Sequence, residues 1–235
     1  MAVATRATLR AMPDLVRFTE TMTGWLGTNG HLSYDDAARE GEASGTVATF
    51  VLTVVTPDVG RMVADPQHRS PAFGCVLAPA LSPEPLSVTE GHLDLFADAT
   101  PDGRILHMRY GLLLRAQDGQ IWFLRGCKEV CRRRWYPTFL VDTTRLYTDV
   151  WRGASPTGPP AFRGILIMGP VGFLGQLAAF RGSGRVGGLR GIVRYLVYYV
   201  SRVARVVSGP RTPSPRESAI DAGPGINAAS PPPRG

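Results

Sequence analysis

Lysine is almost missing from this chain. Of its 26 basic residues, all but Lys128 are arginine. Together with abundant Ala, Gly and Pro this is a chain-wide compositional bias, so arginine identity by itself is no functional clue. Cysteine is scarce as well. Cys75, Cys127 and Cys131 make an odd number at no familiar spacing, which argues against a secreted disulfide framework. The pair Cys127 and Cys131 is too isolated to form a zinc site. Residues 1–15 contain no apolar core of a signal peptide. No run of about 18 apolar residues occurs, so no spanning helix is expected. The expected location is cytoplasmic, with membrane association open because of the basic segment described below. Metalloprotease, paired C-x-x-C and nucleophile-elbow motifs are all missing. No metal and no cofactor are therefore expected.

One literal motif is set aside on context. Gly182-Ser183-Gly184-Arg185-Val186-Gly187 matches G-x-G-x-x-G. A dinucleotide fingerprint follows a strand, opens a helix and has an acid about 20 residues on. This one follows a helical run and has no such acid, so it reads as a flexible joint between helices.

What is present begins with an uneven charge. Residues 1–180 carry 17 basic and 17 acidic side chains, whereas 181–235 carry 9 and 2, which is the whole net charge of +7. The body is neutral and the C-terminal part is the basic element. At 235 residues the chain can bury a real core.

The central stretch, 104–130, reads as two long strands joined at Asp118-Gly119, a strong hairpin signal. A two-residue turn there pairs Leu114 with Phe123, Leu112 with Arg125 and Tyr110 with Cys127. One face then carries Leu106, Met108, Tyr110, Leu112, Leu114, Ile121 and Phe123. The other carries His107, Arg109, Arg115 and Lys128 beside Leu113, Trp122 and Leu124. Such alternation suits a sheet with a buried and a wetter side.

Further strands are expected over 15–26, with Phe18, Glu20, Met22 and Gly24 on one side, and over 46–56, 72–81, 86–98, 138–151 and 161–168. In 86–98, Leu86, Val88, Glu90, His92, Asp94 and Phe96 are expected on one side, opposite Leu93 and Leu95. Residues 27–45 read as a loop or irregular hairpin. A short helix is expected to start at Asp58, with Met62 and Val63 inward and Pro66 ending it. Residues 131–137 read as a basic loop. Residues 170–180 suit a helix with Pro170 in its first turn, and 189–207 a second helix. Seven or eight long antiparallel strands must hide their edges, and closure does so. The expected fold is mainly β: an antiparallel, lipocalin-like barrel of about 8 strands with two C-terminal helices. Such a barrel just holds one small ligand. The expected organisation is a flexible arm at 1–14, the barrel domain at 15–180, a basic amphipathic helix at 181–208 and a disordered tail at 209–235.

Several strings in order resemble a module associated with actinobacterial cholesterol-oxidase-like flavoproteins of the glucose-methanol-choline type. They are Phe18-Thr19-Glu20-Thr21-Met22-Thr23-Gly24, then Asp65-Pro66-Gln67-His68, then Met108, Tyr110, Gly119 and Leu124-Arg125-Gly126-Cys127-Lys128, then Asp142-Thr143-Thr144-Arg145-Leu146-Tyr147. The resemblance spans 15–180. It departs after Val130, where Arg132-Arg133-Arg134 stands in place of an acidic, glycine-containing loop. It implies an accessory, non-catalytic β-rich module beside a flavin oxidoreductase, and it carries no catalytic residues across.

Three function classes follow. The first is a non-catalytic barrel that binds an apolar small molecule, a lipid or sterol, or assists a flavin oxidoreductase. Its candidate ligand residues are Glu20, Met22, Met108, Tyr110, Leu112, Phe123, Arg125 and Asp142. The charged members are either a structural ion pair closing the barrel or polar groups that read the ligand. Asp142 with its threonines also suits a strand bend. The second is an enzyme for a lipophilic substrate, with Glu20, His92 or Asp142 as acid or base. His68, His92 and His107 otherwise read as structural. The third is a peripheral membrane or scaffold protein using the basic helix, with Arg190, Arg194, Tyr198, Arg202 and Arg205 as membrane contacts. That helix equally suits packing on the barrel. No stacking platform accompanies its arginines, so nucleic acid is not an expected partner.

Overall fold

Strand β1 (Val16–Gly27) has partners along both edges. One edge pairs antiparallel with β2 (Val47–Thr56) from Val16 to Trp25. The other pairs with β8 (Phe162–Ile167) from Thr23 to Gly27 and with the two-residue β9 (Arg181–Gly182) at Val16 and Arg17. Between them run β3 (Arg69–Leu77), β4 (Leu86–Leu95), β5 (Ile105–Arg115), β6 (Ile121–Cys131) and β7 (Arg145–Arg152), each bonded to the next in chain order. The chain is therefore a mainly β protein built on a closed, antiparallel, lipocalin-like barrel of eight strands. The computed structural model describes residues 14–28, 30, 32–96, 105–131, 144–169, 181–182 and 187–208. The N-terminal arm up to residue 13, the 132–137 loop, the 138–143 end of the predicted seventh strand, the 170–180 helix and the 209–235 tail lie outside them. Asp14, assigned to the arm, is buried and tied in: its carbonyl accepts from Val59 N.

β-Branched alternation builds the wall. In β2 every second residue (Ala48, Phe50, Leu52, Val54 and Thr56) faces the core and is buried, while the residues between are half-buried outside. On that outer face Thr19 and Thr53 pair at 2.8 Å, and Thr23 and Thr49 at 2.9 Å.

Two sequence expectations about side-chain direction are corrected. The central hairpin turns through three residues, Gln117-Asp118-Gly119. Gly119 N bonds Ala116 O, Ala116 N bonds Gln120 O, and Gly119 has φ 87°. Leu114 therefore pairs with Trp122, Leu112 with Leu124 and Tyr110 with Gly126. A one-residue slip moves a whole strand's side chains to the other face. Trp122, Leu124 and Lys128 are inside; Ile121, Phe123 and Arg125 are outside. In β4 the register shifts between Val88 and Glu90. The bulge puts Gly91, Leu93 and Leu95 opposite inward residues of β5 and sends Glu90, His92 and Asp94 outward.

Helix α1 (Tyr34–Ser44) replaces the expected loop. Ser33 caps it, accepting from Asp36 N at 3.2 Å, and Gly45 ends it at φ 71°. Its buried residues are Ala37 and Gly41, which let it lie directly on β1. So small a contact face leaves no hydrophobic period to read. Helix α2 (Val59–Ala64) is capped by Asp58 as predicted, with Met62 buried and Val63 packed against the core. The C-terminal helix α3 (Gly187–Ser208) lies against α2, β1, β5, β6 and β9.

The closing seam depends on two glycines. A Cβ on Gly24 would sit 2.0 Å from Ile165 O, and one on Gly164 would sit 1.9 Å from Trp25 O. Gly164→Val is expected to destabilise the fold by about 3 kcal/mol or more, because the clash is with backbone that cannot yield. Urea unfolding of the purified variant checks this.

Candidate functional site

Among the described residues the barrel interior is mostly apolar: besides the hydroxyls of Thr56, Ser70 and Thr148 it holds one charged pair. Lys128, the only lysine of the chain, points inward from β6 and is 3% exposed. Its Nζ donates to Glu20 Oε2 at 2.9 Å, reaching from β6 to β1 across the interior. Tyr110 is next to them on β5, with its phenol near the Glu20 carboxylate. The Lys128 ammonium lies 5.1 Å from the Tyr110 ring centre. Burial, and then the Glu20 charge, holds the Tyr110 phenol well above its usual range. A buried charge of either sign is costly unless paired. Here the ammonium is paired with the carboxylate, and the phenol stands beside them.

Helix α3 stands over this cluster. Tyr195 is buried and packs on Phe18, ring centres 6.0 Å apart. Burial pushes the Tyr199 phenol up to about 12, with the Glu20 charge adding to it. Tyr195 moves further in the same direction, again through burial first. The rim that seats the helix contains the two non-glycine residues at positive φ among the described residues, His68 at 47° and Phe96 at 59°. His68 meets Tyr198 at 5.3 Å, and Phe96 meets Tyr199 at 5.2 Å. His68 is set by the turn before it, where Asp65 accepts from Gln67 N and Arg69 N.

The predicted ligand residues divide cleanly. Glu20, Met22, Met108, Tyr110 and Leu112 are together inside. Arg125 and Phe123 are corrected to the outside by the hairpin register. Arg125 bonds Asp149 at 3.2 Å and lies over the Trp151 ring at 4.7 Å, and Phe123 packs on the same ring. Asp142 lies outside the described residues. Lys128 was placed on the wetter face by the sequence pattern. Its identity as the sole lysine was the available signal.

The two acid–base candidates among the described residues, Glu20 and His92, do not converge. Glu20 is inside, whereas His92 is outside over Gly111 and 3.8 Å from Asp94. Asp94 is engaged by both nitrogens of the Arg69 fork, at 2.6 and 2.8 Å. Burial, and then Arg69, lowers the pKa of His92 and keeps it neutral at pH 7. Cys127 faces outward, and its thiol is pushed up to about 11 by burial and Glu129, so it is a poor nucleophile. Among the described residues, no group of three His, Cys, Asp or Glu side chains is arranged to hold a metal ion.

A second polar hub, not anticipated from sequence, fastens α1 to the wall. Asp149, 2% exposed, accepts from Tyr34 Oη at 2.9 Å, Arg125 at 3.2 Å and Arg163 at 2.8 Å. Arg163 also bonds Leu32 O and lies 4.6 Å over the Tyr34 ring. Beside it an open groove of about 660 Å³ runs between α1, β1 and β8, but its Arg145 and Asp35 are paired with each other at 3.0 Å.

Removing one member of the interior pair should be far worse than removing both. Lys128→Met alone is expected to cost about 3–5 kcal/mol, and Glu20→Leu/Lys128→Met to recover most of it; chemical denaturation measures both. Burial and Asp149 push the Tyr34 phenol from 10.0 up to about 12. A raised phenol pKa contributes stability below the unfolded value and loses it as pH rises through the folded one. The stability advantage of wild type over Tyr34→Phe should be constant below pH 10.0 and shrink between there and about 12. Melts across that range check this.

Compared with known proteins, the chain matches no family model, no curated protein sequence and no solved structure.

Proposed function

We propose that the chain is a non-catalytic β-barrel module that binds one apolar molecule with a polar end, such as a lipid or sterol. The observation that supports this is the Lys128–Glu20–Tyr110 cluster, the one charged pair described in a mostly apolar interior, beneath a helix of tyrosines. An eight-stranded barrel has room either for its own side chains or for one small ligand. Here the space would come from Tyr195 and Tyr199, which withdraw when α3 lifts. The polar end of the ligand then meets Lys128 and Glu20, and its apolar body meets Met22, Met108 and Leu112. The resemblance of 15–180 to a module of cholesterol-oxidase-like flavoproteins adds a proposed partner, a flavin oxidoreductase that the barrel assists.

The test is mass spectrometry of an organic extract of the purified protein, followed by titration with dehydroergosterol and a fluorescent fatty acid. The expected result is saturable binding that strengthens by about tenfold in Tyr195→Ala/Tyr199→Ala, because the variant vacates space for the ligand. Glu20→Leu/Lys128→Met should weaken the ligand with a charged end more than the sterol. A folded wild type and tyrosine variant that neither carry extractable lipid nor bind either probe would sink the proposal.

A further inference from the structure

Helix α3 has three faces rather than the two that its basic stripe suggested. One face packs on the barrel through Gly191, Tyr195, Val203 and Val206, with Tyr198, Tyr199 and Arg202 half-buried beside them. Tyr198 and Arg202, expected as membrane contacts, are therefore turned toward the barrel; their ring and guanidinium lie 5.9 Å apart. On the opposite side Leu189, Val193, Leu196, Val197 and Val200 follow helical spacing and are 38% to 65% exposed. Ala204 extends that stripe. Between the two faces runs the edge with exposed Arg190, Arg194 and Arg205. Asp14 faces this edge, 3.9 Å from Arg190 and 3.4 Å from Arg194, and leaves two of the three charges in excess. No other described element carries so long an apolar stripe in the open: Phe73, Leu77 and Ile167 are exposed singly or as a pair on strands. Contiguous exposed apolar surface marks an interaction site.

We propose that this face of α3 is a docking surface for an anionic lipid membrane. The helix would lie flat, with Val193, Val197 and Val200 among the acyl chains and Arg190, Arg194 and Arg205 reaching phosphate. The charge of the chain selects this occupant. The whole net charge of +7 resides in 181–235, so a second copy brought face to face would be repelled and an anionic surface attracted. The tail after Ser208 is a poor cover, since Ile220 and Ile226 are its only large apolar residues. The helix lies in the surface and does not cross the bilayer: none of the described helices is long and apolar enough to cross a membrane. Wide apolar faces with basic borders behave in this way.

The experiment is co-sedimentation of the full chain with vesicles of phosphatidylcholine alone and of phosphatidylcholine with phosphatidylglycerol. Light scattering without vesicles runs alongside. The expected result is a monomer that pellets with the anionic vesicles and much less with the neutral ones. Val193→Asp/Val197→Asp, whose altered positions are exposed and whose melting should be unchanged, is expected to lower that binding by about tenfold or more. Arg190→Gln/Arg205→Gln should lower it on anionic vesicles only, and added salt should do the same. Wild type that stays in the supernatant, or valine variants that pellet equally, would overturn the proposal. So would a wild-type dimer that the valine substitutions dissociate, which assigns the stripe to a second copy. None of these outcomes depends on whether the barrel interior takes a ligand.

Discussion

Everything in this fold rests on β1 being claimed from both sides. A strand has two rows of backbone donors and acceptors, and an unclaimed row is a template for association. β2 takes one row of β1 almost end to end; β8 and β9 share the other. Closure turns eight amphipathic ribbons into one interior, and only then do Glu20 on β1 and Lys128 on β6 come within bonding distance. The closeness of Gly24 and Gly164 to backbone across the seam shows how tightly the two ends of the sheet meet.

The interior pair and the α3 lid form a single physical problem. A carboxylate and an ammonium out of water need each other and need their remaining donors and acceptors met. Tyr110 helps from the wall, and α3 keeps water away by covering the rim with Tyr195 and Tyr199. The lid is held by aromatic contacts to Phe18, His68 and Phe96, two of which sit at positive φ. Positive φ at bulky residues is uncommon and is kept where surrounding packing determines it. The same helix turns an apolar stripe outward, so whatever covers that stripe also bears on the lid of the barrel.

Several residues of the strings singled out in the sequence fall together in the fold. Phe18, Glu20 and Met22 point inward from β1, Met108 and Tyr110 from β5, and Leu124 and Lys128 from β6. Asp65 and His68 shape the rim under α3. These residues line the interior and its mouth, whereas Thr21, Gly119 and Arg125 of the same strings are exposed. The outward Asp149 hub does separate work: it anchors α1 to the wall through Tyr34 and braces Arg125 and Arg163.

Strand existence, the mainly β class, barrel closure, the Asp58-capped helix and the C-terminal helix were all legible in the chain, because each is a local signal: period two, β-branched runs, turn residues and caps. Helix α1 was missed since Ala37 and Gly41 make its contact face, although Ser33, Asp35, Asp36 and Gly45 were its visible caps. Which side chains point inward was not local. A three-residue turn instead of two, and one bulge in β4, reversed Lys128, Trp122, Phe123, Arg125, His92 and Asp94. The order of residues by itself determined that there would be ribbons with one greasy side. Tertiary structure alone decided which side that was beyond each turn, and therefore that the only lysine meets Glu20 in the dark interior. A register is chosen by the sum of pairings across the closed sheet, and no short window of sequence contains that sum.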